Sequence, residues 1–149
     1  MEKIEKSIEV ECQLQTVYNQ WTQFEEFPRF MKGVKKVTQL DQQRLHWEAE
    51  VGGKHKEWDA RITDQIPDQL IAWQSEGGDY TSGTVTFAAG PNRTRINLQL
   101  LYDPKGFVES TEDTIGVVAN RVENYLERFK EFIENRGQET GAWRGTIRE

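Results

Sequence analysis

A single cysteine, Cys12, stands in a chain of 149 residues. One thiol excludes an internal disulfide framework and any multi-cysteine zinc site, and a reducing, cytoplasmic setting is the simple inference. Long apolar runs are missing too. No stretch approaches the roughly 18 residues that suggest a membrane span, and mean hydropathy is −0.79. The first residues, MEKIEKSIEV, are charged and alternating, unlike a secretory leader. Basic charge is short. Residues 1–75 hold 10 bases and 13 acids, and residues 76–149 hold 9 and 12, for a net charge of −6. Neither half is suited to a phosphate backbone. The expected partners therefore include no nucleic acid and no stable membrane insertion.

The motifs of common chemistries are also absent. None of the four serines lies in a GxSxG turn, so serine hydrolase chemistry is not expected. GGDYTSG (77–83) sits between two strand patterns, whereas a phosphate-binding loop opens a helix and carries a lysine, so it reads as a hairpin turn. Cys12 has no evident histidine partner. His46 alternates opposite Trp47, on the polar side with Glu48 and Glu50, and His55 lies in the turn GGKHK. Their spacing fits no metal-ligand motif, so no catalytic residue, metal or cofactor is assigned.

What the chain does have is aromatic mass: five Trp, four Tyr and seven Phe. Periodicity places them. Residues 3–11 suit a strand. Leu14, Val17, Tyr18 and Trp21 recur at helical spacing, as do Phe24, Phe27, Phe30 and Met31, with Pro28 interrupting. From residue 34 the period becomes two. Leu45, Trp47 and Ala49 alternate with polar residues, as do Trp58, Ala60 and Ile62, and Val85 and Phe87; Ile71 and Trp73 follow Pro67 and Asp68; and Ile96, Leu98, Leu100 and Tyr102 alternate with Arg95, Asn97, Gln99 and Leu101. These are half-buried antiparallel strands, punctuated by Gly52-Gly53, Gly77-Gly78-Asp79 and Pro91-Asn92. The period then returns to 3.6. Ser110 is a suitable cap, and Ile115, Val118, Val122, Tyr125, Leu126, Phe129 and Ile133 form one stripe running to Arg136, with Gly137 as the stop. The tail 137–149 is polar and reads as loosely ordered and dispensable. Clustered strands with segregated helices make an α+β domain, expected over residues 1–136.

The order and spacing of FEEFPRFMKGVKKV (24–37), LHWEAEVGGKHKEWDARI (45–62), PDQLIAWQSEGG (67–78), GTVTFAA (83–89), TRINLQLLYDPKG (94–106) and the helix ending YLERFKEFIE carry a family likeness. They resemble the START-like (SRPBCC) superfamily, whose members include polyketide cyclase/dehydrase and coenzyme Q-binding START-like proteins. The tail ETGAWRG is similar to the end of bacterial cyclase/dehydrase-like relatives. The resemblance implies a helix-grip fold. About seven antiparallel strands would wrap a long C-terminal helix, with two short helices after the first strand. It also implies a cavity between sheet and helix for a lipid, quinone or polyketide-like molecule.

The residues assigned to that cavity are Trp47, Trp58, Trp73, Phe87 and Leu98 from the strands, and Val118 and Val122 from the helix. Phe27, Phe30 and Met31 would edge its mouth as a lid. Each has a plainer reading as core, which composition cannot separate. Polar orienting groups would be Trp indole N–H groups, Tyr80, Tyr102 or Asn97. Binding of a small hydrophobic molecule is the expected function, with an aromatase/cyclase or dehydratase, and a protein-interaction module using the helix stripe, as alternatives.

Overall fold

The computed structural model describes residues 2–51, 53–77, 80–103 and 114–149. Element order is β1 (Glu2–Val10), α1 (Leu14–Trp21), a 3₁₀ helix (Phe24–Arg29), β2 (Val34–Gln39), β3 (Arg44–Val51), β4 (Lys54–Ile66), β5 (Leu70–Glu76), β6 (Thr81–Gly90), β7 (Arg93–Tyr102), α2 (Thr114–Arg136) and β8 (Ile147–Arg148). Strands β1 to β7 form one antiparallel sheet in the order β1-β7-β6-β5-β4-β3-β2. This is the helix-grip architecture. The expected cap at Ser110 and the side chain of Ile115 lie outside the described residues.

The sheet has one inner face, turned toward the helices, because the buried positions recur every second residue. Along β7 they are Thr94, Ile96, Leu98 and Tyr102, and along β6 they are Thr81, Gly83, Val85 and Phe87. Register shifts between Val34 and Lys36 and between Ile62 and Asp64 mark bulges, which bend strands and sharpen twist. Helix α1 is short, but Val17, Tyr18 and Trp21 put one face fully into the core. In α2 the buried stripe is Val118, Val122, Leu126, Phe129 and Ile133, so its apolar face is gripped by the sheet. Its C-terminal half is tied to β1: Lys130 Nζ donates to the Glu9 carbonyl, and Glu134 accepts from the Glu11 N–H.

Residues 137–149 are not the loose tail that their polarity suggests. They run beside α1, where Gln20 exchanges two hydrogen bonds with Thr140 and the Trp143 N–H donates to Thr22 Oγ1. Arg144 donates to Asn19 and pairs with Asp68 at 2.7 Å. The chain then adds β8 to β4 in the register Asp64↔Arg148 and Gln65↔Ile147. The docking is by backbone pairing and polar side chains, which hydropathy does not register; among the tail's described apolar residues, Ile147 alone packs against the core cluster.

Candidate ligand-binding site

The space between sheet and α2 is filled unevenly. At one end the aromatic rings interlock. Phe129 is fully buried, with ring centroids 4.8 Å from Trp21 and 5.1 Å from Phe30. Phe87 meets Tyr18 edge-on at 5.3 Å, and Phe30 meets Phe132 at 5.5 Å. This is a closed core. Phe24, Phe27, Phe30 and Met31 are all buried in or beside it. The expectation of a weakly held lid over 24–31 does not match that packing, since the Phe30 ring is locked between α2 side chains.

At the other end, three tryptophans on the inner face are only half-buried. Trp47 and Trp58 are directly opposed on β3 and β4, and their rings stack at 5.9 Å with a 5° interplanar angle. Phe27 links this pair to the closed end, 5.7 Å from Trp47. Trp73 of β5 is paired with Gly83 of β6 and lays its ring over that residue. A Cβ on Gly83 would fall 2.7 Å from Trp73 Cη2 and 2.9 Å from Cε2. Of the other residues expected to line the cavity, Leu98, Val118 and Val122 are buried in the core, and Phe87 lies in the closed end against Tyr18 and Trp21.

Two buried polar atoms here have no hydrogen-bond partner among the described residues: Trp47 Nε1 and Thr81 Oγ1. A buried polar atom left unpaired costs roughly 1–3 kcal/mol, a cost that a bound molecule reaching either atom would recover. Thr81 lies opposite Tyr102, and its own N–H donates to Ser75 Oγ, which sets three hydroxyl residues side by side on the inner face. Burial pushes the phenol of Tyr102 up, and does the same at Tyr125, where Arg121 counters it. Of the polar groups expected from sequence, Trp47 and Tyr102 face inward. Tyr80 is exposed and donates to Ser82, and Asn97 points outward to Glu5. Thr81 was missed, although its place two residues before the alternating run Gly83, Val85, Phe87 puts it on the same face.

The histidines lie on the outer face. His46 contacts Asp59 and Glu57, which together raise its pKa. His55 is not in a turn; it is the second residue of β4. Cys12 is half-buried, its thiol 3.7 Å from the Ile133 carbonyl, and desolvation raises its pKa. No helix among the described residues is long and apolar enough to cross a membrane.

Comparison with known proteins agrees with this fold. The uncharacterized 17.2 kDa protein in the melC2-rnhH intergenic region of Streptomyces lincolnensis is 48% identical over 149 residues, 99% of each chain. The Zhui aromatase/cyclase from Streptomyces sp. R1128 superposes with a TM-score of 0.77 at 15% identity, over 95% of this chain and 99% of that one. A START superfamily protein from Mycobacterium smegmatis gives 0.70 at 15% identity, over 90% and 95%. At such identities the structural likeness speaks for the fold. The profile of the family described as polyketide cyclase/dehydrase and lipid transport matches residues 10–131, and the chain belongs to that family.

Proposed function

We propose that the protein shelters a small, flat hydrophobic molecule bearing at least one oxygen between the half-buried tryptophans and α2. The observation that carries this is the inner-face patch itself. It combines large apolar side chains that the core does not fully cover with two unpartnered hydrogen-bonding atoms, Trp47 Nε1 and Thr81 Oγ1. Ligand sites are mostly apolar, with a few placed polar groups. Trp47, Trp58 and Trp73 would contact the molecule first. Leu98 would form its floor, Phe87 its boundary with the closed end, and Val118 and Val122 its helix side. Phe27, Phe30 and Met31 would close the inner end. A cytoplasmic setting belongs to this reading, supported by the free Cys12.

Cyclase or dehydratase chemistry is the second reading, favoured by the family. It needs a positioned acid or base, and here both histidines and the carboxylates that hold them face away from the patch. Binding is therefore the preferred reading.

The test is a titration of tryptophan fluorescence with a fatty acid, a quinone and a polycyclic phenol, beside mass spectrometry of solvent extracts of the purified protein. Saturable quenching by the quinone or phenol is expected. Trp47→Phe and Thr81→Val each remove one hydrogen bond, worth about 0.5–1.5 kcal/mol, and should weaken binding about 2- to 13-fold. No saturable quenching by any probe, with nothing in the extracts, would refute the proposal.

A further inference from the structure

The outer face of the β3–β4 hairpin carries an arrangement that neither the fold nor the ligand patch requires. Pairing sets His46 opposite Asp59 and Glu48 opposite Glu57. Two carboxylates directly opposed across a ladder repel each other, and here cations gather round them: Lys36 stands opposite Glu48 on β2, and both histidines contact Glu57. His46 sits at the centre of this group. Its Nδ1 is 2.6 Å from Asp59 Oδ1, and its Nε2 is 2.9 Å from Glu57 Oε1. Ligand atoms of His46, Glu48 and Glu57 all lie within 4.8 Å of one another. His55 Nε2 approaches the other oxygen of Glu57 at 3.0 Å.

From this geometry we propose that His46 Nε2, Glu48 and Glu57 bind one divalent transition-metal ion, Zn²⁺ or a near relative, with Asp59 orienting the imidazole. Imidazole with carboxylates suits Zn, Ni, Cu or Co rather than Mg or Ca. Asp59 accepts the Nδ1 proton and so presents Nε2 as the coordinating nitrogen, the usual carboxylate–histidine–metal relay. On binding, Nε2 releases to solvent the proton it shares with Glu57, and the cation takes that proton's place between the carboxylates. Metal–ligand bonds of about 2.0–2.2 Å require the two glutamate side chains to draw inward, which their partial exposure allows. The ion would clip β3 to β4 directly behind the stacked Trp47 and Trp58, which project from the opposite face of the same two strands.

The test uses the full chain after treatment with a chelator. Isothermal titration with ZnCl₂ should show one ion per chain with a dissociation constant in the micromolar range or tighter, and saturating Zn²⁺ should raise the melting temperature. MgCl₂ should do neither. His46→Gln and Glu57→Gln, with folding checked by circular dichroism, should abolish the site. Asp59→Asn should weaken it about 10- to 100-fold. Cys12→Ser should bind as wild type does. No saturable Zn²⁺ binding, binding unchanged in His46→Gln, or binding lost in Cys12→Ser would each overturn the assignment. None of these measurements depends on the hydrophobic ligand.

Discussion

Gly83→Ala tests how the sheet makes room for its tryptophans. Adding one methyl group to a strand glycine is ordinarily favourable: a side chain suits the strand better, and the unfolded chain loses freedom worth about 0.4–1 kcal/mol. Here the new Cβ would sit 2.7 and 2.9 Å from Trp73 Cη2 and Cε2, well inside van der Waals contact. The indole must swing off the β6 backbone, and Ile62 opposite Trp73 on β4 is fully buried, which limits where the ring can go. Overpacking of this kind costs about 1–3 kcal/mol. Set against the backbone gain, the net loss should be about 1–2 kcal/mol, or roughly 2–8 °C in Tm for a domain of this size. The sharper assay is a double-mutant cycle in urea with Trp73→Ala. Without the indole in the way, Gly83→Ala should become neutral or stabilising, so the pair should couple by more than about 1 kcal/mol. An equal effect of Gly83→Ala in both backgrounds would refute the argument.

Deleting residues 138–149 removes the Gln20–Thr140 pair of hydrogen bonds, the Trp143 N–H bond to Thr22, the Arg144–Asp68 ion pair and the β8 pairing. At about 0.5–1.5 kcal/mol per hydrogen bond, the loss should reach about 3 kcal/mol; a wild-type urea midpoint would show that the tail is dispensable after all. Phe129→Ala opens the closed end beneath Trp21 and Phe30 and should cost about 3–5 kcal/mol. Combined with Val122→Ala it should bring the domain close to unfolding at 37 °C, and a thermal melt within error of wild type would contradict the packing described.

Most of the architecture was readable as period. The alternation of Leu45, Trp47, Ala49 and of Ile96, Leu98, Leu100 gave the face of each strand, and the 3.6-residue stripe gave α2. Register was harder to see, although a signal for it was present. Gly52-Gly53 in the sequence, read as a two-residue turn, makes opposed positions add to a constant, which puts 46 opposite 59, 47 opposite 58 and 48 opposite 57, as the strand pairing has it. Reading that turn one step further brings His46 and the carboxylates together and stacks the two tryptophans. Counting histidine spacing along the chain could not do so, because the ligands come from two strands. The tail escaped for a different reason. Its attachment rests on backbone pairing in β8 and on polar contacts of Thr140, the Trp143 N–H and Arg144. Neither leaves a hydrophobic pattern.

Trp58 is the residue that folding explains least. Trp47 and Trp73 pack against the buried core, while Trp58 is absent from that packing and meets its neighbours through the stack on Trp47. A large aromatic side chain only half-buried on an inner face holds some apolar area out of the core at a site where a smaller residue would complete the strand. If the sheet needed only to cover α2, the closed end around Phe129 would already do so. The contrast between a fully packed end and an end with half-buried tryptophans is what the proposed binding reading rests on. Substitutions at Phe129 and Phe30 should therefore act on stability, and those at Trp58 on binding.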